Sequence, residues 1–294
     1  MDKEKLVYLD GEYLPQSQAK LSVYDHGFLY GDGVFEGIRA YNGRVLKLKE
    51  HIDRLYASAK AIYLTIPVSK EEMFEIVLSS FRKNNITDGY CRLVVSRGVG
   101  DLGLDPKKSK NPSIICIANN IQLYPKEMYN VGIPIVTASQ RRNKANAIDP
   151  QIKSLNYLNN ILAKIEAGRC GVQEAVMLNE DGIVAECTGD NIFIVKDNII
   201  YTPPISVGIL EGITRNIFID LAKKNGIETY EKEFTLFNLY NADECFLTGT
   251  GAEAMPVIKV DERIIGTGEV GAITKKLLEL FHNLVRNEGE VIFK

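Results

Sequence analysis

The sequence predicts a mixed α/β fold of the α+β kind, divided into two domains. Three observations carry this reading. Short β-branched runs alternate with amphipathic stretches of helical period along the whole chain. Residues 119–134 lose that periodicity and carry Asn119-Asn120, Pro125, Gly132 and Pro134, the composition of a linker. The 294 residues are enough for two hydrophobic cores. The expected division is a smaller N-terminal domain over 1–118, a linker over 119–134 and a larger domain over 135–294.

In chain order, LVYLDGEYL (6–14) is a hairpin closed at Asp10-Gly11. The Gly- and aromatic-rich stretch 22–48 follows, with Asn42-Gly43 closing a second hairpin. Residues 49–63 predict a helix with Ile52, Leu55, Ala59 and Ile62 on one face, and 70–84 a helix with Met73, Phe74, Val77, Leu78 and Phe81 inward. GYCRLVVSR (89–97) and SIICIA (113–118) are strands flanking a long loop. Beyond the linker, strands are expected at 133–138, 174–179, 182–187, 191–203 (turning at Asp197-Asn198), 242–247 and 255–260. Helices are expected at 156–168, 211–226 (stopped by Gly226) and 269–286.

Composition limits the function classes. Apolar residues make up 45% and charged residues 25%, at a mean hydropathy of −0.08, as in ordinary soluble domains. A net charge of −3 and a pI near 5.8 disfavour nucleic acid or an anionic membrane as main partner. Met-Asp-Lys-Glu-Lys opens the chain without an apolar region after it, and no apolar run approaches the ~18 residues of a membrane span. The five cysteines are widely spaced and mostly embedded in strand-like segments, which suggests reduced residues of a cytoplasmic protein. His26, His51 and His282 are scattered and no CxxC or HExxH occurs, so no metal site is expected.

Several segments could carry chemistry. Lys153 follows a polar, proline-containing stretch and precedes the run Leu155, Leu158, Ile161, Leu162, Ile165, which reads as a helix with one buried stripe. An ammonium near a helix N-terminus is disfavoured, so its amine would be the better nucleophile for an aldehyde. A lone lysine is ordinarily a solvated loop residue; its company matters. Glu186 ends an apolar strand, and a carboxylate there needs a partner, a nearby Arg or Lys or a protonated heteroaromatic nitrogen. Gly212 opens an amphipathic helix whose Ile213 and Thr214 N–H groups would face outward as a phosphate cup. TGTGAEA (248–254) is a small-residue loop able to form an anion nest, and otherwise a tight turn. Arg54 is either a surface arginine or a phosphate clamp. Tyr90 and Arg92 share one strand face, a pairing suited to a carboxylate. GTGEVGA (266–272) matches a dinucleotide fingerprint literally, but the chain ends before a second strand could form, so it reads as a turn into the last helix. One amine, one lone carboxylate, two anion nests and a clamp arginine are the parts that hold pyridoxal 5′-phosphate.

At these residues the sequence resembles the fold-type IV pyridoxal-phosphate enzymes, and among them the branched-chain amino-acid aminotransferases. The segments LYGDGVFEGIR (29–39), HIDRL (51–55), YCR (90–92), KSLNYLNN (153–160), AECTGDNIF (185–193), LEGITR (210–215) and TGTGAE (248–253) carry it over nearly the whole chain. The resemblance implies a smaller N-terminal α/β domain and a larger β-rich domain with the cofactor between them. It implies ping-pong transamination of L-leucine, L-isoleucine and L-valine with 2-oxoglutarate through pyridoxamine phosphate. Lys153 corresponds to the catalytic Schiff-base lysine, Glu186 to the partner of the ring nitrogen, and Tyr157 to the tyrosine bonded to the 3′ oxygen. Arg54, Ile213, Thr214 and Thr250 correspond to the phosphate site, and Leu210 to the residue packed on the ring. Tyr90 with Thr250-Gly251-Ala252 corresponds to the α-carboxylate site, and Arg92 to the receiver of glutamate's distal carboxylate. Tyr30 and Phe35 correspond to walls of the side-chain pocket. Leu104 lies on a loop that in this family reaches a neighbouring subunit, which implies a homo-oligomer, a dimer at least and a hexamer at the larger end. The implied partners are small amino and 2-oxo acids. A D-amino-acid aminotransferase and an aminodeoxychorismate lyase share the fold; Tyr90-x-Arg92 favours the L-branched-chain reading.

Overall fold

A computed structural model of the chain describes residues 4–120 and 125–293. Residues 121–124 of the expected linker, Tyr124 among them, lie outside the described residues. The chain forms two compact units, one of Met1–Ile121, Ile152–Asn156 and Val285–Lys294, the other of Gln122–Gln151 and Tyr157–Leu284. The simple division at a linker therefore does not describe the return of 152–156 and 285–294 to the first unit. Both returns are made by strand-like pairing between residues far apart in sequence, which local composition does not encode.

The first unit is a seven-stranded antiparallel sheet in the order Glu290–Val291, Arg44–Val45, Gly33–Tyr41, Gly89–Ser96, Ser113–Asn119, Leu6–Leu9, Glu12–Pro15. The hairpin turns use the residues that favour positive φ: Asp10 (49°) with Gly11 (101°), and Asn42 (47°) with Gly43 (73°). Helices Leu48–Ala61 and Lys70–Lys83 pack against this sheet, the second opened by a reciprocal Ser69–Glu72 capping box. Ile52, Leu55, Met73 and Phe81 of these helices meet Val34, Ile38 and Leu93 of the sheet in a fully buried core. Each such side chain contributes ~1.5–3 kcal/mol relative to an exposed one. On the same strand face as Val34 and Ile38, Glu36 is also fully buried.

The second unit is a nine-stranded mixed sheet. Its main path runs Thr229–Glu231, Ile199–Thr202, Asn191–Lys196, Glu244–Gly249, Glu253–Val260, Ile133–Thr137, Glu174–Leu178, Val184–Cys187, and Arg263–Ile264 pairs with Glu253–Val260. Asn191–Lys196 is covered on both faces, which explains its unbroken apolar run from Ile192 to Val195. Ile192 and Ile194 join one core with Leu247, Met255 and Val257. On the other face Phe193 stacks on Phe246 at 4.8 Å, and Phe218 of helix Ile213–Lys224 stacks on Phe281 at 5.2 Å.

The expected strands and helices form with boundaries within three residues of those read from the sequence. Helix Leu158–Arg169 is a correction. Its buried residues are Asn160, Ala163 and Ala167, whereas Leu158, Ile161, Leu162 and Ile165 are 66%, 50%, 41% and 52% exposed. The apolar stripe is present but faces outward, because the small residues on the opposite side allow close approach to the sheet. The helix also begins five residues after Lys153, with Tyr157 at its N-cap, so Lys153 does not stand in its first turn as expected.

Gly98 leads from strand Gly89–Ser96 into the loop that carries Leu104. Its φ is +85°, and a Cβ there would run into the backbone carbonyl of Asn111. Gly98→Ala is expected to destabilise the protein by more than about 1 kcal/mol. Urea unfolding checks this; an unchanged midpoint would contradict the reading.

Candidate active site

In the first unit, Lys153 is held by backbone pairing rather than by a helix. Its C=O accepts the N–H of Phe35 at 2.9 Å, Ser154 bridges Val34, and Leu155 N–H donates to the carbonyl of Gly33 at 2.9 Å. Its own N–H donates to Ser58 Oγ at 3.2 Å. The segment thus extends the sheet beside the start of strand Gly33–Tyr41. Lys153 Nζ lies 4.7 Å from the centre of the Phe35 ring, and the Arg92 guanidinium lies 4.5 Å from the same ring. Arg92 Nη2 donates to the Tyr90 hydroxyl at 3.3 Å. A Cβ at Gly37 would run into that hydroxyl, so glycine lets the phenol lie across the neighbouring strand. Burial pushes the Tyr90 phenol up, against the opposing pull of Arg92, so it stays a neutral donor. Lys153, Phe35, Tyr90 and Arg92 therefore form one cluster: an amine, an apolar ring and a phenol–guanidinium pair suited to a carboxylate.

Arg54 projects from helix Leu48–Ala61 and is bound to Glu36 through Nε–Oε1 at 2.7 Å and Nη2–Oε2 at 2.9 Å. His51 Nδ1 is 2.8 Å from Glu36 Oε2. Burial alone would raise the Glu36 carboxyl; the charge and hydrogen bonds of Arg54, with the hydrogen bond of His51, outweigh it and hold it down to about 2. Burial lowers His51, so it favours the neutral ring. Sequence reasoning did not single out Glu36 or His51. The signal was available, since VFEGI places a lone carboxylate among apolar neighbours, the same pattern that drew attention to Glu186.

Tyr30 contacts the loop that carries Leu104. The Tyr30 hydroxyl accepts the N–H of Gly103 at 3.0 Å, and His26 Nε2 is 2.9 Å from the carbonyl of Asp101. Tyr30 therefore anchors the loop on which Leu104 stands 81% exposed.

In the second unit, Glu186 is buried in strand Val184–Cys187 and hydrogen-bonded through both carboxylate oxygens. Arg142 Nε donates to Oε1 at 2.7 Å, while Asn191 Nδ2 and the Leu210 N–H donate to Oε2 at 3.2 and 3.1 Å. Asn191 Nδ2 also donates to the Leu210 carbonyl at 3.0 Å, which fixes Leu210 beside the carboxylate. Arg142 lies in an irregular segment with no pattern that would have revealed it. Three residues beyond Leu210, helix Ile213–Lys224 starts with Gly212 as its N-cap and no side-chain cap, and Thr214 in its first turn is buried. A Cβ at Gly212 would run into Asn191 Oδ1, so this approach needs glycine. Thr250, Gly251 and Ala252 form the turn between strands Glu244–Gly249 and Glu253–Val260, with Ala252 buried. Beside it, the Thr248 hydroxyl is buried without a hydrogen-bond partner. Tyr157 is half-buried at the N-cap of helix Leu158–Arg169.

The literal dinucleotide motif is occupied by the protein itself. The N–H groups of Ile273 and Thr274 donate to the Glu244 carboxylate at 3.0 and 2.8 Å, so the start of the last helix already carries an anion. Among the described residues, no group of His, Cys, Asp and Glu could hold a metal ion, and no helix is long and apolar enough to cross a membrane.

Comparison with known proteins gives the family. The family model of amino-transferase class IV matches residues 33–260. The chain belongs to the class IV aminotransferases. It is 54% identical, over 98% of its length and 99% of the relative's, to a Methanocaldococcus jannaschii protein with a provisional branched-chain-amino-acid aminotransferase name. The crystal structure of the Escherichia coli branched-chain amino acid aminotransferase superposes with a TM-score of 0.94 at 36% identity, covering 98% and 97% of the two chains. The branched-chain amino acid aminotransferase of T.th. with pyridoxamine 5′-phosphate gives 0.93 at 38% identity over 97% and 95%. That enzyme has also been crystallised with N-(5′-phosphopyridoxyl)-L-glutamate and with 4-methylvaleric acid. The mixed α/β architecture of this class IV aminotransferase is accordingly the fold-type IV one.

Removing Arg142 would leave Glu186 buried without its cation. Arg142→Met is expected to cost about 3–5 kcal/mol of stability, read from denaturant unfolding of the cofactor-free protein. An unchanged unfolding midpoint would contradict the pairing.

Proposed function

We propose that this chain is a pyridoxal-phosphate-dependent branched-chain-amino-acid transaminase. It exchanges the amino group of L-leucine, L-isoleucine or L-valine with 2-oxoglutarate, giving branched 2-oxo acids and L-glutamate in alternating half-reactions. The observation that carries the reading is the cluster of Lys153, Phe35, Tyr90 and Arg92. It sets an amine and a cation for a second carboxylate against one apolar wall. Bound pyridoxal phosphate supplies an aldehyde for the amino group and a protonated ring that accepts electron density from the substrate's Cα.

The chain's own residues do the rest. Lys153 Nζ would hold the aldehyde and, once displaced by substrate, would take the proton from Cα and deliver it to the carbon that bore the aldehyde, as transfer of the amino group requires. Glu186 would accept the ring N–H, Tyr157 would bond the 3′ oxygen and Leu210 would pack on the ring. Arg54, the N–H groups of Ile213 and Thr214, and the Thr250 hydroxyl would hold the phosphate. The uncapped helix start and the glycine approach at Gly212 suit such an anion. Tyr90 and the Thr250-Gly251-Ala252 turn hold the α-carboxylate.

Dual specificity follows from the chemistry of one wall. Phe35 and Tyr30 offer apolar surface to a branched side chain. Arg92, stacked on Phe35, adds a charge at that wall, so glutamate's distal carboxylate is accepted in the same pocket.

The working form in this reading is a homo-oligomer, a dimer at least, with Leu104 serving a neighbouring subunit. The outward apolar stripe Leu158, Ile161, Leu162 and Ile165 supports this, since a second copy would cover it. Five free thiols suit a cytoplasmic location.

Lys153→Ala is expected to lower leucine–2-oxoglutarate turnover by at least about 10³-fold while the circular dichroism spectrum stays that of the parent. Surviving turnover would sink the assignment. Arg92→Ala should raise KM for glutamate and 2-oxoglutarate roughly ten- to hundredfold, through loss of charged hydrogen bonds, with leucine KM nearly unchanged. Equal losses for both substrates would contradict the shared-pocket account.

A further inference from the structure

We propose that the buried carboxylate of Glu36 is the positioning residue of the phosphate-binding arginine, Arg54, with His51 as its second donor. The inference rests on the reading of Arg54 as a phosphate clamp.

Arginine has a long flexible side chain, and its affinity for an anion falls when binding must also freeze that chain. Here the chain is fixed from behind. Glu36 engages the guanidinium through both Nε and Nη2, a fork that fixes the plane as well as the position of the group. The carboxylate cannot drift, because it is fully buried between Val34 and Ile38 on strand Gly33–Tyr41 and also receives His51. Burial favours the neutral form of His51, so it acts as a hydrogen-bond donor without adding a charge that would compete with Arg54.

The helix adds a second constraint. His51, Arg54 and Ser58 are spaced three and four residues apart, on one face of helix Leu48–Ala61. Ser58 Oγ accepts the N–H of Lys153. The same helix face therefore sets the arginine that meets the phosphate and the backbone of the lysine that meets the aldehyde. Glu36, by tying this face to the strand, holds the spacing between the two ends of the cofactor. An ion pair with only a stabilising role would not require both functions on one face.

Pyridoxal is the probe that separates these roles, since it carries the aldehyde but lacks the phosphate. Dissociation constants of pyridoxal 5′-phosphate and of pyridoxal are measured on cofactor-free parent, Glu36→Gln, Arg54→Ala and the double variant, by the change in visible absorbance. Glu36→Gln is expected to weaken pyridoxal phosphate roughly tenfold, the loss of one charged hydrogen-bond pairing, and to leave pyridoxal within about threefold. In the Arg54→Ala background the same change should have no further effect on pyridoxal phosphate. Glu36→Asp, which keeps the charge but retracts it by one methylene, should show the same selective loss and serves if Glu36→Gln does not fold. Equal weakening of both aldehydes, unchanged binding of both, or an additive effect on Arg54→Ala would overturn the proposal. A parent that binds pyridoxal as tightly as its phosphate would instead overturn the phosphate-site reading beneath it.

Discussion

The short backbone ladder between Lys153-Ser154-Leu155 and Gly33-Val34-Phe35 is the constraint on which the rest depends. A lysine side chain alone is among the most mobile groups in a protein. Fixing its backbone to the sheet leaves only the side-chain torsions to search, and the Phe35 ring limits those. The same stretch of strand sets the register of everything downstream. Phe35 faces the amine, Glu36 faces the helix, and Gly37 makes room for Tyr90. A slip of one residue would exchange these faces and place a carboxylate where the aromatic wall stands.

Charge is buried in each unit by the same device. Glu36 and Glu186 are both removed from water, and each is met by an arginine Nε at 2.7 Å with further donors on the second oxygen. Leaving either carboxylate unmet would cost several kcal/mol. These networks are therefore specific: each accepts a fixed number of donors in fixed directions. They give the molecule two rigid polar points in otherwise apolar surroundings, and in the proposed reading both lie beside residues that would hold the cofactor.

Much of this was legible in the residues. Period-two and period-3.6 patterns located most strands and helices, because burial of one face leaves a local record. The ordered motifs pointed to Lys153, Tyr90 and Arg92, which the structure brings together around Phe35. Pattern could not say what covers a face. The stripe from Leu158 to Ile165 is apolar and periodic, yet the face buried against the unit is the one with Asn160, Ala163 and Ala167. Nor could it say where a charged group finds its partner. Arg142 reaches Glu186 across 44 positions of sequence, and Arg54 reaches Glu36 across 18. Those distances are settled by the sheet and not by any local rule. The expected placing of Lys153 at the start of a helix failed for the same reason, since its backbone pairs with a distant strand.

The central claim is that the amine fixed on this ladder is the one that reacts with the cofactor's aldehyde. Reducing the protein with borohydride in the presence of stoichiometric pyridoxal phosphate, then mapping the label by peptide mass spectrometry, tests it most directly. The account predicts a phosphopyridoxyl group on Lys153 alone. A label on another lysine, or one spread over the surface lysines with Lys153 unmodified, would contradict it.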